Sequence, residues 1–547
     1  MKSSSDFLSD LEKQDIKVWV EGDRLRCNAP KKMLTPELRA ELTTRKQDLI
    51  AYLQQAQAAL EETPSIRLVD RSQDLPLSWT QQRLWFLDRL EGGSNAAYNL
   101  STVLEINGNL NVKALEQTLA EIIRRHEILR TTFKLVNGTL VQAIASSLTI
   151  KLPVIDLQQY SEAEKATEVR RLALEEISRT FDLVNGPLVR NMLLRLGSQS
   201  HVLLMTIHHI VFDGWSTAIF IKELSTLYQA FAKDLPSPLA ELPIQYADFA
   251  VWQRQWLEED ILKPKLDYWK QKLAGTPALL ELPSDRDRPL VDSMRGDSET
   301  FQLNTEITEK LKNLSKRSGA TLYMILLAAL ATLLFRYSSQ SDIVIGSPIA
   351  NRYPKETEPL IGLFINTLVL RLDLSENPTF LELLNRVRQV TLEAYENQNV
   401  PFEKLVKELN IKRDLSRNPL FQVWYTLQDT AVEGLGLSGL QVRSLEFETP
   451  TAIFDLEFIL EYIPEGIKGR LRYKTDLFEA STIVQMLQHF QTLLQSIVAE
   501  PEHRLRNLRL LTDEETGGYS THDFPDAELS QSEFEKLMME IGKISVR

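Results

Sequence analysis

Apolar and polar positions along the 547-residue chain fall into three regimes. In the first sixty residues, Phe7, Leu8 and Leu11 share one face of a short helix. Val18-Trp19-Val20 and Leu25-Arg26-Cys27 then flank Glu21-Gly22-Asp23-Arg24, predicting a hairpin with Gly and Asp at its turn. Thr35-Pro36 reads as a helix start, a cap followed by a first-turn proline, with an apolar stripe from Leu38, Leu42, Leu49, Ile50 and Leu53. From Leu77 to about Leu511, β-like and helix-like segments alternate, which predicts α/β (α+β) architecture. Val202 to Ile207 reads as a buried strand. Ile219, Phe220, Leu224, Leu227, Tyr228 and Phe231 form the apolar face of the helix after it. Beyond Thr512, Gly517-Gly518-Tyr519-Ser520 precedes acidic residues and a candidate helix from Ser530 to Ile541.

This length calls for two or three compact units. The pattern divides it into a small N-terminal unit (1–58), a linker (59–75), two lobes (76–245 and 246–512) and a tail (513–547). Proline-spotted passages at Lys233–Pro243 and Pro283–Ser298 read as connections between the lobes. The 62 Lys and Arg against 75 Asp and Glu give a net charge of −13, which argues against a nucleic-acid partner. Cys27 is the only cysteine, so no disulfide framework or cysteine-rich metal site is expected, and a reducing cytosol fits. The longest apolar run, Leu322 to Phe335, is too short to span a bilayer and reads as a buried core helix. Met1-Lys2-Ser3-Ser4-Ser5-Asp6 shows no signal peptide, so a cytoplasmic protein without a membrane partner is expected. Gly-Gly-x-Ser in the tail could mark a carrier-protein attachment serine, but the residues before it complete the main body and leave no room for a carrier's helices.

The most informative residues are His208-His209-Ile210-Val211-Phe212-Asp213-Gly214. Neighbouring side chains at a strand end point to opposite faces, so only one of the two imidazoles faces a given cavity. Asp213-Gly214 can turn the chain into the next helix, and Gly214 lets backbone approach a ligand closely. Two readings stay open on this motif alone: a catalytic imidazole, or satisfied core histidines with Asp213 as a helix cap. Adjacent histidines pointing apart chelate zinc poorly and no third His or Cys lies nearby, so no metal is expected. A Ser-His-Asp hydrolase lacks its Gly-x-Ser-x-Gly turn.

The heptad resembles the HHxxxDG signature of nonribosomal peptide synthetase condensation domains, of the chloramphenicol acetyltransferase-like superfamily. Other segments stand in the same family order: Ser78-Trp79-Thr80-Gln81-Gln82-Arg83-Leu84-Trp85, Arg125-His126-Glu127-Ile128-Leu129-Arg130-Thr131-Thr132-Phe133, Tyr246-Ala247-Asp248-Phe249-Ala250-Val251-Trp252, Ile361-Gly362-Leu363-Phe364-Ile365-Asn366-Thr367, Pro401-Phe402-Glu403 and Arg413-Asp414-Leu415-Ser416-Arg417-Asn418-Pro419-Leu420-Phe421. Together they span about residues 75 to 512. Asn397 stands where the family often has His, and Phe212 where it often has a small polar residue; both departures bear on substrate preference. The first sixty residues resemble the tubulysin-type N-terminal docking domain. The run from Arg83 to Glu91 and Ala96-Ala97-Tyr98-Asn99 resembles the subtype taking an L-configured donor and an L-configured acceptor.

The resemblance implies two chloramphenicol acetyltransferase-like lobes in a V with a channel between them, preceded by a small α/β docking domain. It implies amide formation between a donor thioester and an acceptor α-amine, both on carrier proteins through 4'-phosphopantetheine, with no cofactor bound directly. His209 is the expected base or positioning group, with Gly214 and His208 also candidate catalytic residues. Asp213 is expected to pair with Arg125 or Arg286, and Trp215, Ser216, Asn366 and Ser347 to line the substrate channel. Expected partners are donor and acceptor carrier proteins, an upstream subunit through residues 1–58 and a downstream one through the tail. The alternatives are an epimerase, an acyltransferase to a free amine or alcohol, and a carrier-docking scaffold without chemistry; Trp215-Ser216 looks more like condensation than epimerisation.

Overall fold

The computed structural model describes residues 64–512 apart from 91–95, 150, 258, 412–413, 415, 429–436, 438, 446 and 448, together with Glu515 and part of residues 11–50. At the N-terminus, β1 (Lys17–Glu21) and β2 (Arg24–Asn28) form the antiparallel hairpin that the sequence predicts. Leu11, Ile16, Leu42 and Leu49 close a small core beside it. Phe7, Leu8, Leu53 and the tail from Thr516 onward lie outside the described residues.

The first lobe runs through β3 (Leu75–Pro76), α1 (Trp79–Leu90), β4 (Asn99–Asn107), α2 (Val112–Arg125), β5 (Thr131–Val136), β6 (Thr139–Ile144), β7 (Val154–Asp156), α3 (Glu162–Ser178), β8 (Val189–Arg195), β9 (Ser200–His208), α4 (Gly214–Phe231) and α5 (Tyr246–Trp256). The chain continues with α6 (Glu259–Lys272), β10 (Gly296–Asn304), α7 (Thr305–Ser318), α8 (Leu322–Ser338), β11 (Asp342–Ile349), β12 (Asn366–Asp373), α9 (Phe380–Glu396), α10 (Phe402–Glu408), β13 (Val423–Gln428), β14 (Gln441–Leu445), β15 (Leu456–Ile463), β16 (Gly466–Lys474) and α11 (Ala480–Ala499), which form the second lobe except for β14. Helix starts coincide with their capping residues: Asn111 accepts from the Ala114 N–H, Asn304 from Ile307, and Ser161 and Thr379 form capping boxes. The apolar run Leu322 to Phe335 is buried on almost every side, as a helix lacking a polar face must be.

Two sheets organise the lobes, in the strand orders β14-β4-β9-β8-β7 and β10-β16-β15-β13-β11-β12. The same unit recurs in both. The hairpin β8–β9 feeds α4, and β15–β16 feeds α11. β4 pairs with β9 over nine positions from Asn99↔His208, and β10 with β16 over nine from Gly296↔Lys474.

Three boundaries differ from the sequence reading. From Pro64 onward the expected linker is strapped to the first lobe: Pro64 accepts from the Trp252 indole (2.6 Å), Ile66 is buried in the core, and Arg71 forks onto Asp248 (2.6 and 3.0 Å). The lobe boundary falls after α5, because Tyr246, Phe249, Ala250 and Trp252 pack into the first core. The passage at 233–243 also lies on the first lobe, where Ala240 accepts from Arg125 (2.8 Å), while Arg286 and Arg288 tie 283–298 to the second. Chain from the second half also crosses back: Leu360, Ile361, Leu363 and Phe364 are buried in the first core, and β14 completes the first sheet.

Candidate functional site

β9 ends at His208, and a single 3₁₀ turn (His209–Val211) separates it from α4. His208 is buried, edge-on to Phe181 with ring centres 5.9 Å apart. Its Nδ1 accepts from the Ile210 N–H at 3.1 Å, which places the ring proton on Nε2. Burial, helped by the nearby His209 and Arg190, pulls its pKa down to about 3, so the ring stays neutral. The ring braces the turn from inside.

His209 is partly exposed, and its backbone N–H donates to the Tyr98 carbonyl (2.8 Å). Its Nδ1 lies 2.7 Å from the Phe212 carbonyl. A carbonyl only accepts, so Nδ1 carries the proton and Nε2 presents its lone pair. Gly214 begins α4, is exposed, and a Cβ there would meet nothing within 4 Å. Its N–H is one of the first-turn groups that have no acceptor within the helix itself. Trp215 is exposed and donates its indole N–H to the Glu358 carbonyl (3.1 Å).

Asp213 is buried and caps α4, accepting from the Ser216 N–H (2.9 Å) and hydroxyl (2.7 Å). Its partner is Arg352 (2.7 Å), and its second oxygen accepts from the Phe364 N–H (3.0 Å). Neither Arg125 nor Arg286 reaches it: Arg125 forks onto buried Glu223 (3.0 and 3.1 Å), and exposed Arg286 holds the Thr475 carbonyl and Glu479. Arg352 also donates to the Thr357 (3.0 Å) and Leu360 carbonyls and lies 3.9 Å over the Phe364 ring. Burial lowers its pKa against the pull of Asp213. The turn is thus clamped by chain from the other half of the sequence, and nothing near Asp213 in the sequence signals a partner 139 residues away.

The crossing segment is anchored further. Gly362 donates to the Ser216 hydroxyl (3.0 Å), and a Cβ at Gly362 would sit 2.1 Å from the Tyr246 ring. Tyr246 donates to the Leu363 carbonyl (2.6 Å). His126 accepts from Ile361 (3.3 Å) and contacts Glu223 (3.2 Å), whose carboxyl is pushed up by burial but held below its ordinary pKa by His126 and Arg125.

Three residues expected in the channel are buried and spoken for. Ser216 belongs to the Asp213 clamp, Asn366 bridges the Gln398 and Val400 carbonyls (2.7 Å each), and Ser347 accepts from the Tyr323 hydroxyl (2.7 Å). A cleft of about 2190 Å³ lies instead between α1 with the β5–β6 hairpin and, from the second lobe, residues 273–278 and 402–420. Trp79, Arg83, Arg254, Phe402 and Lys404 line it, and it reaches Tyr98, one hydrogen bond from His209. The Arg254 guanidinium lies 3.6 Å and the Lys404 ammonium 4.4 Å from the centre of the Trp79 ring. No single helix among the described residues is long and apolar enough to cross a membrane.

Residues 71–517 match the family described as Condensation domain, and residues 5–55 match the TubC N-terminal docking domain. One linear gramicidin synthase polypeptide of Brevibacillus parabrevis is 46% identical over 468 residues, 85% of this chain but 6% of that protein. Another polypeptide of the same synthase is 48% identical over 449 residues, 82% of this chain and 9% of its own length. The chain therefore spans less than a tenth of these relatives. Among solved structures, the X-domain from teicoplanin biosynthesis superposes with a TM-score of 0.75 at 30% identity, covering 82% of this chain and all of that one. A family match over most of the chain, with the HHxxxDG turn standing at the end of β9, establishes that the chain belongs to the condensation-domain family of nonribosomal peptide synthetases.

Proposed function

We propose that this chain joins a donor acyl group to the α-amine of an acceptor, both held as thioesters on 4'-phosphopantetheine arms of carrier proteins. The observation that carries the reading is the His209 tautomer: its Nδ1 proton is committed to the Phe212 carbonyl, so Nε2 offers a lone pair at the partly exposed side of the turn. An acceptor amine with a pKa near ~8 is about one-tenth uncharged at pH 7. Its attack on the donor carbonyl forms the C–N bond, the thiolate leaves, and the ammonium proton passes to Nε2. The Gly214 N–H, at an open helix end, supports the oxyanion. Aligning two arm-borne reactants supplies ~7–11 kcal/mol, more than proton transfer to an imidazole. His209 therefore acts as much by holding the amine as by taking its proton. The exposed Trp215 borders the route to the turn.

Upstream, β1–β2 offers strand addition to a short segment of a preceding subunit, with main-chain hydrogen bonds supplying affinity. A cytoplasmic location fits partners that carry phosphopantetheine. Incubating the chain with two loaded carriers and following them by mass spectrometry tests the proposal. A dipeptidyl thioester that fails to form with His209→Ala supports it. An inverted stereocentre would instead identify an epimerase. No change at all would favour a docking role without chemistry, a reading that draws on the teicoplanin X-domain, one structure of which is a complex with OxyB.

A further inference from the structure

We infer that Arg190 is a positioning residue for the His209 turn, acting through Phe181 and His208, a role that rests on the condensation chemistry proposed for that turn. The sheet dictates the starting geometry. Arg190 of β8 stands opposite Thr206 of β9, and His208 stands opposite Asn99 of β4. Side chains alternate along a strand, so these four share the face turned away from the main core of the first lobe. α3 covers that face, and further along it the packing is apolar: Val103, Leu194, Val202 and Leu204 meet Val169 and Ala173. Beside the turn the same face becomes polar, yet Asn99, Thr206 and His208 stay buried. Apolar side chains would hold α3 without the cost of burying polar groups, so the polar patch calls for another reason.

The patch clasps the end of α3. Arg190 holds the Glu176 carboxylate through Nε, donates from Nη1 to the Thr180 carbonyl (2.9 Å), and from Nη2 to the carbonyls of Glu176 (3.2 Å) and Arg179 (2.7 Å). Asn99 adds bonds from Nδ2 to the Ile177 (2.7 Å) and Arg179 (2.9 Å) carbonyls. Two side chains thus gather four carbonyls where the helix runs out of its own donors, and a cation there suits the helix dipole. Phe181 follows at once. It is buried, and the Arg190 guanidinium lies 3.7 Å from the centre of its ring.

Phe181 passes this order to the turn. The His208 ring meets it at 5.9 Å and 83°, and meets Tyr98 at 6.4 Å and 50°. So held, His208 accepts the Ile210 N–H (3.1 Å), while Gln81 donates to the Ile210 carbonyl (3.1 Å). Ile210 is therefore fixed through both of its backbone groups. It stands between His209 and Phe212, whose hydrogen bond decides which His209 nitrogen carries the proton. Burial, then the nearby His209 and Arg190, disfavours a proton on His208, and a neutral ring is what keeps its Nδ1 an acceptor. Misplacing a reacting group by ~1 Å can cost ~10²-fold in rate. Loosening the clasp thus reaches the chemistry without Arg190 touching a reactant.

Arg190→Gln in the full-length chain tests this by two separate readouts. With loaded carriers, kcat should fall ~10–100-fold while KM for the acceptor carrier stays within about twofold. In the substrate-free chain labelled with nitrogen-15 histidine and assigned against His209→Ala, the His209 signals should move from one protonated and one bare nitrogen toward an average of the two tautomers. Phe181→Leu leaves the Arg190 bonds to the end of α3 in place, should change both readouts in the same direction, and serves where Arg190→Gln lowers the melting midpoint. Wild-type His209 signals in both variants would overturn the assignment, whatever happens to the melting midpoint, and so would an unchanged kcat. A wild-type chain that joins no loaded pair would sink the condensation chemistry alone, and the nitrogen spectra would still decide the role of Arg190.

Discussion

In the first lobe, β8 and β9 form a hairpin whose second strand runs into the turn before α4; in the second, β15 and β16 do the same before α11. The ladders place Lys474 where His208 stands, and Thr475 where His209 stands. The two turns then diverge. Lys474 is buried among carboxylates, bonded to Asp292 and 3.4 Å from Asp455, which Arg288 also holds (3.0 Å). Leu477 and Phe478 fold back onto the Lys474 carbonyl and are buried, so the turn is filled. The first turn is held from beneath by His208 and from the side by Asp213–Arg352, leaving the His209 Nε2 on the partly exposed side. A shared backbone thus carries a filled, ion-paired turn in one lobe and a partly exposed imidazole in the other, according to the side chains placed just past the strand.

The largest contrast expected is catalytic. His209→Ala should slow amide formation by ~10²–10⁴-fold if proton transfer contributes, while Thr475→Ala leaves the rate unchanged; quenched-flow mass spectrometry of loaded carriers reads both. Equal losses would break the comparison. Next in size is the clamp. Arg352→Ala strands the buried Asp213 carboxylate and should cost ~3–5 kcal/mol in urea unfolding. Lys474→Ala should cost less, ~1–3 kcal/mol, because Asp455 keeps Arg288. If the order reverses, the second turn is the more tightly built of the two.

How far the sequence foretells this arrangement depends on the range over which each signal acts. The N-terminal hairpin, β9 and the buried helix at Leu322 are readable because periodicity and turn residues are local properties. His209 is picked out by the motif, but its tautomer depends on the Phe212 carbonyl folding back, which only coordinates reveal. Arg352 is invisible for a different reason: Asp213 meets it through a chain crossing between lobes, and no local pattern distinguishes it from Arg125 or Arg286. Ser216, Asn366 and Ser347 are placed only by coordinates, because in sequence a small polar residue near a motif looks the same whether it lines a channel or satisfies buried backbone. The lobe boundary is missed because α5 is apolar on the side facing back to the first core.

The histidine pair itself supplies a pH test of the first turn. Burial holds His208 near a pKa of about 3, against ~6.5 in an unfolded chain. The native state therefore resists a proton that the unfolded state accepts. Stability from this group is complete above about pH 6.5 and falls as the pH drops toward 3, by ~1.4 kcal/mol per unit. Between pH 7 and 4.5 the loss should reach ~2–3 kcal/mol. His208→Asn, which keeps an acceptor for the Ile210 N–H, should remove that part of the slope in urea titrations at the two pH values. An unchanged slope would place the acid sensitivity elsewhere.

The smallest effect concerns how each helix begins. Asp213 caps α4 through the Ser216 N–H, whereas Glu479 stands at the same point of α11 without a side-chain cap. Its longer side chain leans toward Arg286 at 3.4 Å, an exposed pair worth little. Asp in that place has the length to accept from the first-turn N–H groups, as Asp213 does, and a negative charge there also suits the helix dipole. Glu479→Asp should therefore stabilise the chain by ~0.5–1 kcal/mol, seen as a higher urea midpoint. The same exchange reversed in the first lobe, Asp213→Glu, should destabilise by more than this gain. There the shorter carboxylate holds Arg352 and the Phe364 N–H as well as the helix end, and a longer side chain cannot satisfy all three from the same backbone position.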